Sequence, residues 1–205
     1  MTFDALRADK DTIARFISEI TRDWSNHSNE DGLFEVRCLG KERTPVIKSF
    51  ELKECDDAVD LAVQMNNIGL NIYMTINPIK KSSVCKAAKD GDILRAHYTF
   101  VDADDKPGIN GLEALTSKIE PDLVVITGTI PHQRRHAYWR FDEPCTDLTL
   151  WSNRQLDLAK RYKTDPAVSN PSRIMRVAGT VSYPDLTKQA RGYVNELTEM
   201  RVNTS

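Results

Sequence analysis

Between His97 and Val177 the apolar residues alternate between two periods in a fixed order, and that order leaves few ways to fold the chain. His97 to Asp104 has the two-residue period of a strand, and Asn110 to Ile119 has helical spacing with Leu112, Leu115 and Ile119 inward. Strands follow at Leu123 to Thr127 and His136 to Phe141. A long helix from Asp147 to Tyr162, capped by Thr146, precedes a last strand at Ile174 to Val177. The predicted order is β-α-β-β-α-β.

That order is the split βαβ arrangement of ferredoxin-like and RNA-recognition folds. There the first and third strands are antiparallel neighbours at the centre of one sheet, and the fourth flanks the first. The end of the first strand then lies beside the starts of the third and fourth. Asp102 and Asp104, His136, and the segment from Asp165 to Arg173 are therefore expected to meet at one sheet edge.

Upstream, Asp11 is the predicted cap of a helix carrying Ile13, Phe16, Ile17, Ile20 and Trp24 at helical spacing. Ser25 to Gly32 reads as a polar loop. Leu33 to Leu39 alternates and is expected to form a hairpin with a strand near Val46 to Leu52. A second helix opens at Asp56 or Asp57, turns Ala58, Leu61, Ala62 and Met65 inward, and stops at Gly69. Asn71 to Ile76 is a strand ended by Asn77-Pro78, and Lys80 to Asp90 reads as a loop or short helix. No repeat or flexible linker divides the chain. The expected class is α/β (α+β), with residues 1–205 as one domain. An N-terminal α/β module to about residue 90 packs on the β-α-β-β-α-β module from about 91 onward.

A length of 205 residues suffices to bury a core, and 40% hydrophobic and 28% charged residues are ordinary for a water-soluble chain. The sequence has neither an eighteen-residue apolar span nor a signal-peptide layout, so a cytoplasmic location without a membrane partner is expected. Cys38, Cys55, Cys85 and Cys145 lack metal-ligand spacing and read as free thiols. A net charge of −2 exerts no overall pull on a polyanion. Nucleic-acid binding would depend on local patches: Lys80, Lys81, Lys86, Lys89 and Arg95; Arg134, Arg135 and Arg140; Arg173, Arg176, Lys188 and Arg191.

Asp102 and Asp104 are two apart on a strand, so their side chains share a face. Two carboxylates so close repel unless a cation lies between them, and their oxygens suit Mg²⁺ or Mn²⁺. Asp165 is the preferred third acid, ahead of Asp185 and Asp105. The competing reading of Asp104-Asp105-Lys106-Pro107-Gly108 is a plain turn. Alternation puts His136, Tyr138 and Arg140 toward the carboxylates, and Ala137, Trp139 and Phe141 toward the core. His132, in the preceding loop, is a weaker candidate. Arg173 sits where Asn170-Pro171 breaks the chain and Arg176 within the last strand, where each needs an anion: a triphosphate, the acidic cluster, or Asp165 in a structural salt bridge.

With those residues in view, the chain resembles the archaeo-eukaryotic primase (AEP) superfamily, especially the RepB-like primase-polymerase domains of plasmids and phages. The resemblance runs from about Tyr73 to Lys188. It is carried by Tyr73-Met-Thr-Ile-Asn-Pro78, the Asp102-x-Asp104 strand, His136-Ala-Tyr-Trp, and Asp165 followed by Arg173-Ile-Met-Arg176-Val-Ala-Gly179-Thr180. Tyr183-Pro184 and Lys188 extend it.

The resemblance implies a DNA primase-polymerase in which Asp102, Asp104 and Asp165 hold two Mg²⁺ or Mn²⁺ ions. His136 would contact the incoming nucleotide, and Arg173, Arg176 and Lys188 the phosphates or template. Single-stranded DNA would run over Lys80, Lys81, Arg134 and Arg135 and stack on aromatics such as Tyr73 or Tyr98. The implied partners are a single-stranded template, nucleoside triphosphates (dNTP or NTP) and a helicase domain or protein. Arg134 departs from the family pattern, which often has a small Ser at that place. Two other readings fit the same residues: a non-catalytic module that binds single-stranded nucleic acid or initiates replication, and a metal-dependent nuclease.

Overall fold

The computed structural model describes residues 6–26, 32–41, 43–83 and 87–203. Cys85, Lys86 and most of the polar loop expected at Ser25 to Gly32 lie outside them.

Helix α1 (Lys10–Thr21) is capped by Asp9, two residues earlier than expected, because the Asp9 carboxylate accepts from the backbone N–H groups of Asp11 and Thr12. Asp11 instead adds negative charge to the first turn. Ile13, Phe16, Ile17 and Ile20 are buried along one stripe. Strands β1 (Phe34–Gly40) and β2 (Arg43–Phe50) form the expected hairpin, and β3 (Asn71–Thr75) pairs with the other edge of β1 after helix α2 (Cys55–Asn67). In α2 the residues fully inside are Ala58, Val59, Ala62 and Asn66, while Leu61 and Met65 are half-buried.

The second half begins with β4 (Ala96–Ala103), followed by α3 (Lys106–Thr116), β5 (Leu123–Gly128), β6 (Arg134–Cys145) and α4 (Leu148–Tyr162). Five predicted elements are thus present in the predicted order. Their ends differ for physical reasons. Asp105 caps α3 through the N–H of Gly108, so the helix starts earlier than expected, and Ile119 lies beyond its end, 60% exposed. Asp147, not Thr146, caps α4 through the N–H of Leu150.

The last of the predicted strands, β7 (Ile174–Arg176), goes elsewhere. It does not flank β4 but pairs antiparallel with β3, giving a first sheet of order β2-β1-β3-β7. The second sheet has the order β10-β5-β6-β4, completed by β10 (Glu199–Val202), a strand not among the predicted elements. Met200 and Val202 pack against the main core, which explains why that stretch is a strand. Between these come β8 (Val181–Ser182), α5 (Leu186–Ala190) and β9 (Glu196–Leu197), with β8 and β9 paired to each other.

A single large core fills the space between the sheets and helices α1 and α2, built around Phe16, Trp24, Phe34, Phe50, Phe100 and Tyr138. It takes residues from both halves, so packing does not part at about residue 90. A smaller core, Val101, Ala103, Leu112, Leu115, Ala137 and Trp139, lies on the far face of β4 and β6, under α3 and α4. Gly179 (φ +80°) brings the chain against the start of α1, where a Cβ would come within 2.8 Å of Ile13 N and Asp9 O. The final Gly-Thr of the primase-like motif therefore has a packing role. Cys38, Cys55 and Cys145 are free thiols. Among the described residues no helix is long and apolar enough to cross a membrane.

Candidate active site

β4 and β6 pair antiparallel in a register that sets Asp102 directly opposite His136. The His136 Nε2 lies 3.6 Å from Asp102 Oδ1. On the other side of a cleft of about 300 Å³ stand Asn71, Tyr73 and Arg176, from β3 and β7. The chain after β8 closes the cleft with Tyr183, Asp185, Lys188 and Tyr193. The cleft thus lies between the two sheets, and the departure of β7 to β3 is what places Arg176 across from the carboxylates.

Asp102 carries the strongest electrostatic signal. Burial pushes its carboxyl well above the usual range, and the charges of Asp104 and Asp165 push it further; Lys188 and Arg176 pull the other way. Its Oδ1 is buried without a hydrogen-bond partner, as is Thr127 Oγ1 in the same wall. Asp104 Oδ2 has Lys188 Nζ at 3.5 Å. An orphaned carboxylate oxygen beside a second carboxylate is a donor set that fits a hard divalent cation.

Asp165 donates its backbone N–H to Asp102 O at 2.8 Å, but its exposed carboxylate accepts from the N–H of Ala167. Asp105 is occupied as the α3 cap, and Asp185, which lines the cleft, caps α5 through the N–H of Lys188. No cluster of three His, Cys, Asp or Glu side chains set to hold a metal occurs among the described residues.

His136 is buried, and burial lowers its pKa to about 4 despite the Asp104 charge, with Arg176 and Lys188 lowering it further. The ring is neutral at pH 7. Its Nδ1 is 3.2 Å from the Tyr138 hydroxyl. Tyr138 itself is fully buried in the main core rather than lining the cleft. Arg140 is also absent from the cleft: it pairs with Asp23 at 3.2 Å and Glu19 at 3.5 Å and lies over the Tyr98 ring. Tyr98, proposed as a stacking platform, is 2% exposed and donates to Glu19 O.

Arg176 donates to Asn71 Oδ1 at 2.6 Å and to the Tyr73 hydroxyl at 2.9 Å, its guanidinium over the Tyr73 ring. It forms no ion pair with a carboxylate among the described residues, so its charge remains available to a ligand. Arg173 does not line the cleft; its charge acts on Asp90, and its Nε is buried without a partner. Arg134 is 4% exposed and tied to Glu196 at 2.8 Å and to the carbonyls of Ile130 and His132, with one face on Tyr193. Its guanidinium fills the space above Gly128, where a Cβ would come within 1.8 Å of its Nη2. It contributes to the cleft wall as an internal ion pair, not as an outward template contact.

Arg135 lies off the cleft, against Gln133 and 4.0 Å from Glu113. Lys80, which donates to Gly91 O, and Lys81 do not line the cleft either. Arg95 is buried and donates to Trp24 O. His132 Nε2 contacts Asp104 O at 2.7 Å, and its ring meets Tyr193 edge-on. Sequence reasoning missed Asn71, Thr127, Tyr193 and Glu196. Of these only Asn71 had a local signal, since strand period puts it on the Tyr73 face.

This is the AEP type of mixed α/β fold, the fold of archaeo-eukaryotic primase-polymerase domains. The chain is similar to the AEP domain of the cyanophage S-2L primase-polymerase (PrimPol), with a TM-score of 0.67 and 18% identity over 97% of this chain and 92% of that one. It is also similar to the catalytic domain of primase RepB′ in complex with initiator DNA, with a TM-score of 0.60 and 18% identity over 94% and 83%. At such identities the likeness is one of fold. No protein-family profile matches the sequence, and no curated protein matches it.

Proposed function

We propose that the chain is a DNA primase-polymerase, adding nucleotides on a single-stranded DNA template in plasmid, phage or mobile-element replication. One observation carries this reading: within an AEP-type fold, one cleft sets an acidic pair with an unpartnered buried oxygen against Arg176 and Lys188. A neighbour described with initiator DNA supports DNA as the template.

Asp102 and Asp104 would hold Mg²⁺ or Mn²⁺, with Asp165 as the third acid of a two-ion site. Ions there would supply charge neutralisation at the triphosphate and activation of the attacking 3′-hydroxyl. Arg176, fixed by Asn71 and Tyr73, binds phosphate oxygens with the remaining edge of its guanidinium. Lys188 adds a second cation beside Asp104. The neutral His136 donates from Nε2 to a phosphate oxygen while Tyr138 holds Nδ1.

The test offers the protein primed and unprimed single-stranded templates with labelled nucleotides and Mg²⁺ or Mn²⁺. Extension or primer synthesis that disappears in Asp102→Asn/Asp104→Asn supports the reading. Shortening of labelled DNA with metal alone points to a nuclease. Metal-indifferent binding without synthesis points to a binding module.

A further inference from the structure

On the far side of the second sheet, helices α3 and α4 border a groove of about 610 Å³ lined by Lys106, Asn110, Lys118, Arg161, Tyr162 and Lys163, among others. Four of its lining residues are cations and none is acidic. That is unusual in a chain of net charge −2. None of the four makes an ion pair among the described residues, whereas Lys10, Lys53, Arg134 and Arg140 all do. All four are exposed.

The groove also has an aromatic floor. Lys118 Nζ lies 5.7 Å and the Arg161 guanidinium 5.6 Å from the centre of the half-buried Tyr162 ring. Gly111 lets α3 approach the end of α4 this closely, because a Cβ there would fall 1.6 Å from the Tyr162 backbone O. Cations around a half-buried ring form the combination that tracks a single strand: phosphates meet the charges and a base meets the ring.

Its position ties it to the cleft. Lys106 follows Asp104 by two residues, and Lys163 precedes Asp165, whose N–H is bonded to Asp102 O, by two. Two residues of chain span at most about 7 Å. β4 is the edge strand of its sheet, so no further strand separates the cleft from the groove at that end.

We propose that the α3–α4 groove is a second binding surface for single-stranded DNA, which takes the strand after it passes round the β4 edge from the cleft. The choice of DNA as occupant rests on the function proposed above; the charge and geometry of the groove do not. Helix C-termini also attract cations, and Arg161 and Lys163 stand at the end of α4. A purely dipolar role predicts a different result.

The test is fluorescence anisotropy with a labelled single-stranded oligonucleotide of about 20 nucleotides, longer than a single site. It is run on the whole chain without nucleotide or metal, across a salt series. Lys118→Gln/Arg161→Gln is expected to weaken binding about tenfold and to reduce the log–log salt slope by about 1.4, two contacts at about 0.7 each. Lys10→Gln/Lys53→Gln, which removes the same charge from paired surface sites, should move neither value. Unchanged affinity and slope in the groove variant, with or without a lowered Tm, would overturn the proposal. Nucleotide addition is not read in this assay, so an inactive cleft and an unoccupied groove are separate outcomes.

Discussion

His136 and Tyr138, two residues apart on β6, are joined by a contact of 3.2 Å between the imidazole Nδ1 and the phenol oxygen. The pair bridges two environments, since the phenol is buried in the core and the ring faces Asp102 in the cleft. The Tyr138 hydroxyl has no other hydrogen-bond partner among the described residues. With its hydroxyl donating to Nδ1, the proton of the neutral ring resides on Nε2, aimed at the cleft.

Tyr138→Phe should keep the fold, costing about 1 kcal/mol for one hydrogen bond, yet lower nucleotide addition about tenfold as the ring loses its orientation. Steady-state kinetics beside thermal melting separate the two effects. Unchanged kcat/KM would mean that the phenol does not orient the ring.

Asp102→Asn should abolish activity and stabilise the metal-free protein by about 1 kcal/mol, or about 3 °C in Tm for a chain of this size. The sign follows from linkage. The folded state raises the Asp102 pKa above 3.8, so it binds that proton more tightly than the unfolded chain does. Wild-type stability from this group falls as pH rises from 3.8 through the raised value, and the variant removes that slope. Added Mn²⁺ should raise the Tm of the wild type and not that of the variant.

Arg176→Lys keeps the charge and loses the two-pronged hold on Asn71 and Tyr73. KM for nucleotide should rise about tenfold with little change in Tm. Arg173→Lys, outside the cleft, should change KM by less than about twofold. Equal effects at the two positions would contradict the placement of the phosphate site.

Glu196→Gln leaves the buried Arg134 without its counter-charge and should cost about 3 kcal/mol in urea unfolding. Burial works to raise the Glu196 pKa, but the hydroxyl and N–H of Thr129, the N–H of Ile130 and Arg134 together hold it below 4.5. The stabilisation is therefore full above pH 4.5 and lost as pH falls through the lowered value. The difference between wild type and variant should close over that acid range.

Much of this architecture was readable in the order of residues. Periodicity alone placed β4, α3, β5, β6 and α4, because a half-buried strand or helix must repeat its apolar residues with the geometry of its backbone. Strand parity likewise put Asp102 and Asp104 on one face. Caps were displaced, from Asp11 to Asp9 and from Thr146 to Asp147, because more than one residue near each helix start carries a side chain able to accept from the same free N–H groups.

Pairing partners were not readable in the same way. Ile174-Met-Arg176 is only three residues long, and backbone hydrogen bonds carry no side-chain label for which sheet edge they join. Tertiary packing settled the question by burying Met175 in the main core beside β3. That choice carried Arg176 to the far wall of the cleft and left the flank of β4 open. Arg134 shows the same limit: a cation in a basic run looked exposed, and only its meeting with Glu196, 62 residues away, turned it inward. The acidic doublet was local information, but its cationic counterparts were assembled by long-range contacts.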